Sequence, residues 1–147
     1  LERNGIGIFW CWGVKFGHAE KNRIVGNRNY GISIGHNDTD NVMVDNDVID
    51  SGKVGILFRD ASRGKDFWAN RNRIENNRIY NIGANDGIAI DIQGQTKDLQ
   101  ILGNQLKESQ KPMNRIGIRI GANASRIELA NNSIKGFSKP IDDQRSV

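Results

Sequence analysis

The chain has 147 residues, enough to bury a core as one domain, and its charged fraction is 26%. A formal net charge of +4 is compatible with an acidic polymer as partner, but no run of five basic residues occurs, which argues against a nucleic-acid-binding arm. A single cysteine, Cys11, excludes an internal disulfide framework, and no apolar run is long enough to span a bilayer.

Short blocks that begin with glycine and then alternate apolar with other residues recur along the chain. They start at Gly13, Gly31, Gly55, Gly87 and Gly117. An earlier block at Gly5 is an alternative start for the first repeat, which would make Cys11 to His18 an insertion. Period-two alternation is typical of β-strands, and no segment shows helical apolar spacing. The pattern predicts core-facing pairs such as Ile56 and Phe58, or Ile88 and Ile90.

A second motif follows each block after a polar turn of variable length. Its five copies read RIVGN, VMVDND, RIENN, QILGN and IELANN. They place Asn27, Asp47, Asn77, Asn104 and Asn132 at equivalent positions. Asn suits the left-handed backbone of a tight turn, and stacked Asn side chains hydrogen-bond along a column. Asp47 has no side-chain donor, so we expect the ladder to be interrupted there, with Val42 and Val44 in the core.

A repeat of two or three short strands cannot bury its apolar face alone, whereas stacked repeats can. The sequence therefore predicts an all-β parallel solenoid of about five to six coils, forming one domain over residues 1–147 with an irregular C-terminal tail at 136–147. Because the pattern is already under way at Leu1, we expect a fragment of a longer solenoid. Coils without caps also predict end-to-end self-association.

The GIxI blocks and the (I/V/L)xxN elements resemble those of the right-handed parallel β-helix repeat proteins, the pectate-lyase-like superfamily that includes NosD-like repeats. The resemblance covers nearly the whole chain. It implies a carbohydrate-active β-helix that binds or processes an extended, acidic polysaccharide, and an extracytoplasmic or secreted location. The polygalacturonase set of paired aspartates, GHG and RIK is absent, and so is the alginate-epimerase DPH motif. No catalytic residue is therefore carried over from those families.

Alignment of the repeats predicts a shallow cleft at the ends of the glycine-led strands. Outward positions fall on Ser33, Leu57, Ala89 and Arg119, and two residues further along on Gly35, Arg59, Asp91 and Gly121. Adjacent coils are about 4.8 Å apart, so these side chains become neighbours. The cleft is predicted to hold His36, Asp38, Arg59, Asp60, Asp91 and Arg119.

Three chemistries fit such a cleft. In a lyase or epimerase, a metal or an arginine neutralises a uronate carboxylate, and a base, either His36 or an arginine in an unusual environment, removes the proton at C5. In a glycoside hydrolase, Asp60 and Asp91 flank the scissile bond. Alternatively, the carboxylates of Asp38, Asp40 and Asp60 hold a Ca²⁺ ion as cofactor.

The candidate residues therefore fall into three roles. The catalytic candidates are His36, Asp60, Asp91 and Arg59; the substrate-binding candidates are Arg119, Trp68 and Ser33; the metal-binding candidates are Asp38 and Asp40. The long segment that contains Trp68 is an insertion of the kind that shapes a binding surface, or else neutral decoration.

The alternative function is a non-catalytic structural or adhesive solenoid whose polar turns are merely solvated. Whether the chain is an enzyme is left open by its sequence. Cys11 lies in FWCWG, where we expect a small buried thiol and not a nucleophile, because no partner is evident. Period two predicts that Trp10 and Trp12 face the same side, as a sugar-stacking platform or as core filling.

Overall fold

The computed structural model describes residues 1–60, 67–84, 86–111 and 114–146, and all regular elements in these ranges are β-strands. The described residues therefore include no helix long and apolar enough to cross a membrane. The strands in chain order are β1 (Ile6–Phe9), β2 (His18–Glu20), β3 (Arg23–Val25), β4 (Tyr30–Ile34), β5 (Val42–Val44), β6 (Asp47–Ile49), β7 (Val54–Phe58), β8 (Arg73–Glu75), β9 (Arg78–Tyr80), β10 (Ile88–Ile92), β11 (Lys97–Leu102), β12 (Gln105–Lys107), β13 (Ile116–Ile120), β14 (Ser125–Ala130), β15 (Ser133–Lys135) and β16 (Lys139–Asp143).

Every third strand pairs in parallel with its counterpart in the next coil, so the strands form three sheets. The six-stranded sheet, here called the front sheet, has the order β1-β4-β7-β10-β13-β16. The two five-stranded sheets have the orders β2-β5-β8-β11-β14 and β3-β6-β9-β12-β15. This arrangement confirms the predicted parallel β-solenoid of about five coils. Residues 139–143, assigned from sequence to an irregular tail, form β16 and pair with β13.

The core is a set of columns in which each side chain packs on its counterpart one coil away. In the front sheet the register aligns Ile8, Ile32, Ile56, Ile90, Ile118 and Ile141. Three-residue strands of the other sheets point only their middle residue inward, as Met43 and Ile74 do with no exposed surface. The stacked columns of Ile, Val, Leu and Met bury the apolar area that a single repeat would leave in water.

The register differs from the sequence alignment by small slips that change which residues face the core. Strand β1 aligns Ile6 with Tyr30, so the first coil starts in the Gly5 block and not in the Gly13 block. Val42 and Val44 are half-buried, while Met43 between them is fully buried. In β10, Ile88 aligns with Val54 in a small outer cluster, and Ile90 and Ile92 occupy the core. A slip of one residue exchanges the two faces of a strand.

A ladder of asparagines runs the length of the solenoid without interruption. Each side chain after the first accepts hydrogen bonds from both the backbone and the side-chain amide of its counterpart in the preceding coil, at 2.9–3.0 Å. The members are Asn22, Asn46, Asn77, Asn104 and Asn132. The predicted members Asn27 and Asp47 were wrong: Asp47 begins β6 and binds Arg78, and Asn27 lies outside the ladder. The predicted interruption at Asp47 therefore does not occur.

Exposed ion pairs also connect neighbouring coils. The guanidinium of Arg71 binds Asp40 at 2.8 Å, and that of Arg126 binds Asp98 at 2.5 Å. The hydrogen bonds from these arginines are the largest cause that lowers the pKa of Asp40 and of Asp98. A carboxyl group whose pKa is lower in the folded than in the unfolded protein stabilises the fold at pH values above its unfolded pKa, which is near 4. This contribution is lost as the pH falls through the folded pKa.

We therefore expect the urea midpoint to fall as the pH is lowered from 7 to below about 4, and to fall less at high salt, which screens exposed pairs. The control is the double variant Asp40→Asn and Asp98→Asn, because Asn tolerates the positive φ of both positions. The urea midpoint of this double variant should change less with pH than that of the wild type. Equal slopes for the two proteins would show that these pairs do not link stability to pH.

Candidate functional site

The outward face of the front sheet carries one continuous column of side chains. Its members are Phe9, Ser33, Leu57, Asp91, Arg119 and Asp142. Asp91, and not Ala89, therefore lies between Leu57 and Arg119, which corrects the sequence alignment by two residues. Ala89 instead pairs with the glycine column and is fully buried. The correction places Asp91 beside Arg119 and takes it out of the column of Arg59.

The turn that follows β4 is held by a buried aspartate. Asp38 has no exposed surface, and its Oδ2 accepts a hydrogen bond from the backbone N–H of Gly35 at 2.9 Å. Its Oδ1 accepts from the N–H groups of Gly13 and Val14 in the preceding coil, at 3.0 and 2.8 Å. The same turn gives His36 a positive φ of 45°. Asp38 is thus a structural carboxylate that fixes the backbone from which His36 projects.

Arg59 extends from the end of β7 back across two coils. Its Nη1 donates to Ser33 Oγ at 2.7 Å and its Nη2 donates to the carbonyl oxygen of Trp10 at 2.8 Å. The guanidinium lies against Gly35, where a Cβ would be 3.0 Å from Nε, and its Cζ is 4.5 Å from the centre of the Phe9 ring. Only 16% of the side chain is exposed. These contacts hold the cation in one orientation.

The imidazole of His36 meets two other functional groups at one nitrogen. Cys11 Sγ is 3.2 Å from Nδ1, and Arg59 Nη2 is 3.4 Å from the same atom. Because a guanidinium has no acceptor, Nδ1 accepts from Arg59 and the proton of the neutral ring sits on Nε2. Trp12 stacks on the imidazole with centroids 4.9 Å apart, and Phe67 meets it edge-on at 6.0 Å.

These residues form what we call the His36 cluster: Cys11, Ser33, His36, Asp38 and Arg59. Burial lowers the pKa of the Arg59 guanidinium, and the nearby Cys11 and Asp38 oppose that shift. Asp38 Oδ2 is 3.9 Å from Nη2 of Arg59. Beside the cluster lie two exposed rings, Phe9 at 55% and Trp12 at 60%. The site is thus a partly covered cation and an imidazole with aromatic surface open to solvent.

Asp91 and Arg119 form a second polar group further along the same face. Arg119 Nε and Nη2 donate to the two carboxylate oxygens of Asp91 at 2.9 and 2.6 Å, and the bond to Asp91 raises the pKa of Arg119. Gln93 Nε2 also donates to Asp91, at 2.8 Å, and its Oε1 accepts from the backbone N–H of Asp60 at 3.3 Å. Asp91 is 1% exposed and Asp60 is exposed.

The predicted residues are therefore only partly brought together. His36, Arg59, Ser33 and Asp38 converge, whereas the hydrogen bonds of Asp91 connect it to Arg119 and Gln93. Ser33 is buried and orients Arg59. Trp68 is 8% exposed and packs on Gly94, so its ring is covered. The catalytic roles of His36, Asp60, Asp91 and Arg59, and the substrate-binding roles of Arg119, Trp68 and Ser33, stay predictions.

The carboxylates of the turn do not fit the Ca²⁺ hypothesis. Both oxygens of Asp38 already accept backbone hydrogen bonds, and Asp40 is held by a two-pronged contact with Arg71. A hard cation needs several oxygen ligands facing one point. Among the described residues, no group of three or more His, Cys, Asp or Glu side chains converges in this way.

Sequence reasoning missed Cys11 as a partner of His36 and wrongly placed Trp10 and Trp12 on one face, although core filling was one of the two roles predicted for Trp10. Trp10 packs against the core while Trp12 is exposed, so the two do not share a face. A signal was present in the spacing: with the first coil started at the Gly5 block, the 24-residue offset between Ile6 and Tyr30 aligns Trp12 with His36. Starting the first coil at the Gly13 block hid this alignment, and the same 24-residue offset between His18 and Val42 shows that Cys11 to His18 is not an insertion.

Comparison with known proteins agrees with the geometry. A family model described as the right handed beta helix region matches residues 20–141, which is most of the chain. No match was found among curated proteins or among solved structures. The match and the three parallel sheets together confirm the predicted right-handed parallel β-helix.

Proposed function

Because this chain belongs to the right-handed β-helix family, we propose that it is a carbohydrate-binding solenoid that holds an extended acidic polysaccharide along its front sheet. One observation carries the proposal: the exposed ring of Phe9 lies against the oriented guanidinium of Arg59, and the exposed ring of Trp12 stacks on His36, which contacts that guanidinium. An exposed ring is a platform for the apolar face of a sugar, and a guanidinium is a partner for a carboxylate.

The separation of the two arginines along the front sheet supports an extended ligand. The outward column repeats once per coil, about 4.8 Å per step, and runs from Phe9 to Asp142 across the sheet. Arg119, with 31% of its side chain exposed, offers a second cation on this face of the sheet, in addition to Arg59. A polymer that crosses several coils would meet both arginines, which favours a chain over a small molecule.

Binding is better supported than cleavage. A glycoside hydrolase needs two carboxyl groups that can exchange protons with the substrate. Asp91 is buried in an ion pair with Arg119, and its remaining contact is with Gln93. The lyase, epimerase and hydrolase activities remain predictions, and a structural or adhesive role without a sugar ligand remains the alternative.

We expect Trp12→Ala to weaken binding to polygalacturonate or alginate about tenfold, because loss of one stacking platform costs about 1.4 kcal/mol. Affinity electrophoresis and calorimetry on a panel of acidic and neutral polysaccharides would measure the effect. The matched control is Tyr80→Ala, a half-exposed aromatic residue in β9 on another sheet, which should bind like the wild type.

The preference for charge is tested separately. Arg59→Gln should reduce the ratio of affinities for acidic over neutral polymer, while Arg78→Gln, an exposed arginine on another sheet, should not. Failure of every polymer in the panel to bind would reject the proposed function and favour the structural role. Turnover of any polymer would instead favour one of the enzymatic hypotheses.

A further inference from the structure

The polymer-binding proposal gives no role to the thiol of Cys11, which lies beside a base and a cation. It is a free cysteine, half-buried, with Sγ 3.2 Å from Nδ1 of His36. Nδ1 is the unprotonated nitrogen of the ring, so it can take the thiol proton. The Arg59 guanidinium binds the carbonyl of the residue that precedes Cys11, which keeps a positive charge beside the sulfur. A base and a cation next to a thiol are the features of a reactive cysteine.

We propose that Cys11 is a modification site that forms a mixed disulfide with small, carboxylate-bearing disulfides. The geometry supplies a base at hydrogen-bond distance from the sulfur and a cation that attracts an anionic reagent, at a cysteine that is only half-buried. This assignment replaces the expectation from sequence that Cys11 is an inert buried thiol.

The reaction is a thiol–disulfide exchange. His36 Nδ1 takes the proton of Cys11, and the resulting thiolate attacks one sulfur of the reagent disulfide. The bond between Cys11 Sγ and that sulfur forms as the S–S bond of the reagent breaks. The leaving thiolate receives the proton from His36. The protein thiol is oxidised, half of the reagent is reduced, and a second thiol molecule reverses the step.

Other uses of the pair fit the structure less well. A metal ion would find only Sγ and Nδ1 as donors, because the described residues offer no third His, Cys, Asp or Glu. The adjacent guanidinium would also repel a cation. Transfer of an acyl group would need donors for an oxyanion, and the Gly13 N–H nearest in sequence is occupied by His36 O and Asp38 Oδ1.

The modification would have a consequence for ligand binding, and this part rests on the proposed function. Trp12 follows Cys11 directly and stacks on the same imidazole that faces the sulfur. A carboxylate-bearing adduct on Cys11 would lie beside the Trp12 platform and compete for Arg59. We therefore expect the adduct to block binding of an acidic polymer, and reduction to restore it.

The site itself is tested without any polymer. Oxidised glutathione is added to the folded wild type and to the same chain unfolded in urea, and the adduct is followed by intact mass. The folded protein should react about tenfold faster. His36→Asn, which tolerates the positive φ at this position, should remove most of that advantage. The control is His18→Ala, the second histidine, which pairs with Glu20 on another sheet and should leave the rate unchanged.

A folded wild type that reacts no faster than the unfolded chain would overturn the modification site, whatever the variants do. Circular dichroism would verify that His36→Asn is folded. The blocking effect is measured next, as polymer affinity before and after treatment with the disulfide. For Cys11→Ser, the polymer affinity should be the same before and after the treatment. An adduct that leaves the polymer affinity of the wild type unchanged would overturn the blocking effect. If the reduced protein binds no polymer, the proposed function fails while the reaction rates still decide the modification site.

Discussion

Replacement of Asn77 by alanine is expected to lower the free energy of unfolding by about 3 kcal/mol, because it leaves buried polar groups without partners. Asn77 has no exposed surface. Its Oδ1 accepts from the backbone and side-chain amides of Asn46, both at 2.9 Å, and its Nδ2 donates to Met43 O and Asn104 Oδ1, both at 3.0 Å. Alanine removes all of these bonds from the middle of the ladder, where water has no access.

Urea unfolding of three variants would separate the ladder from asparagine content in general. Asn123→Ala, at an exposed turn position, should change stability by less than about 0.5 kcal/mol. Asn132→Ala, at the half-buried end of the ladder, should cost less than Asn77→Ala because water can reach its neighbours. Equal costs at Asn77 and Asn123 would show that the ladder adds nothing to stability.

The fold was predictable because its signal is repeated. Alternation within the Gly31, Gly55 and Gly117 blocks predicts short strands, and only stacking buries their apolar faces. The exact register was harder to predict. The motif VMVDND ends in three adjacent polar positions, and the choice of Asp47 over Asn46 shifted the alignment by one residue. That slip assigned Val42 and Val44 to the core in place of Met43.

The candidate site depends on contacts that no single repeat encodes. Arg59 reaches from the third coil to the carbonyl of Trp10 in the first, a separation of 49 residues. The sequence alignment gave Cys11 no partner because it started the first coil at the Gly13 block and not at the Gly5 block. The pairing of Asp91 with Arg119 was missed for a similar reason, since the alignment placed Ala89 in that column. Side-chain convergence follows from register, so small errors in register dispersed the true neighbours.

The segment between β12 and β13 shows a different limit of sequence reasoning. Its composition, KESQKPMNR, suggested a polar loop with either a binding role or none. The structure instead buries two of its charges: the side chains of Arg115 and Glu108 are 1% and 0% exposed, with Nη1 and Oε1 3.0 Å apart. Arg115 Nη2 also donates to Gly83 O, Ala84 O and Gln110 Oε1. Composition cannot distinguish a buried ion pair from two solvated charges, because both use the same residues.

Replacement of Arg115 by methionine is therefore expected to destabilise the protein by about 4 kcal/mol, since it strands the carboxylate of Glu108 without its partner in the interior. Methionine is shorter than arginine but keeps an unbranched stem and most of the side-chain volume, so cavity formation contributes little. Urea unfolding would measure the loss. The matched control is Arg78→Met, which breaks the exposed pair with Asp47 and should cost less than about 1 kcal/mol.

A double-mutant cycle then isolates the stranded charge from the lost hydrogen bonds. Glu108→Leu combined with Arg115→Met removes both charges, and this double variant should be more stable than Arg115→Met alone. The three carbonyl oxygens that Arg115 contacts lose their donor in either case, so the difference between the two proteins reports on Glu108. If the free-energy costs of Glu108→Leu and Arg115→Met simply add up in the double variant, the carboxylate of Glu108 is solvated once Arg115 is gone. Arg115 would then anchor this segment through the backbone carbonyls alone.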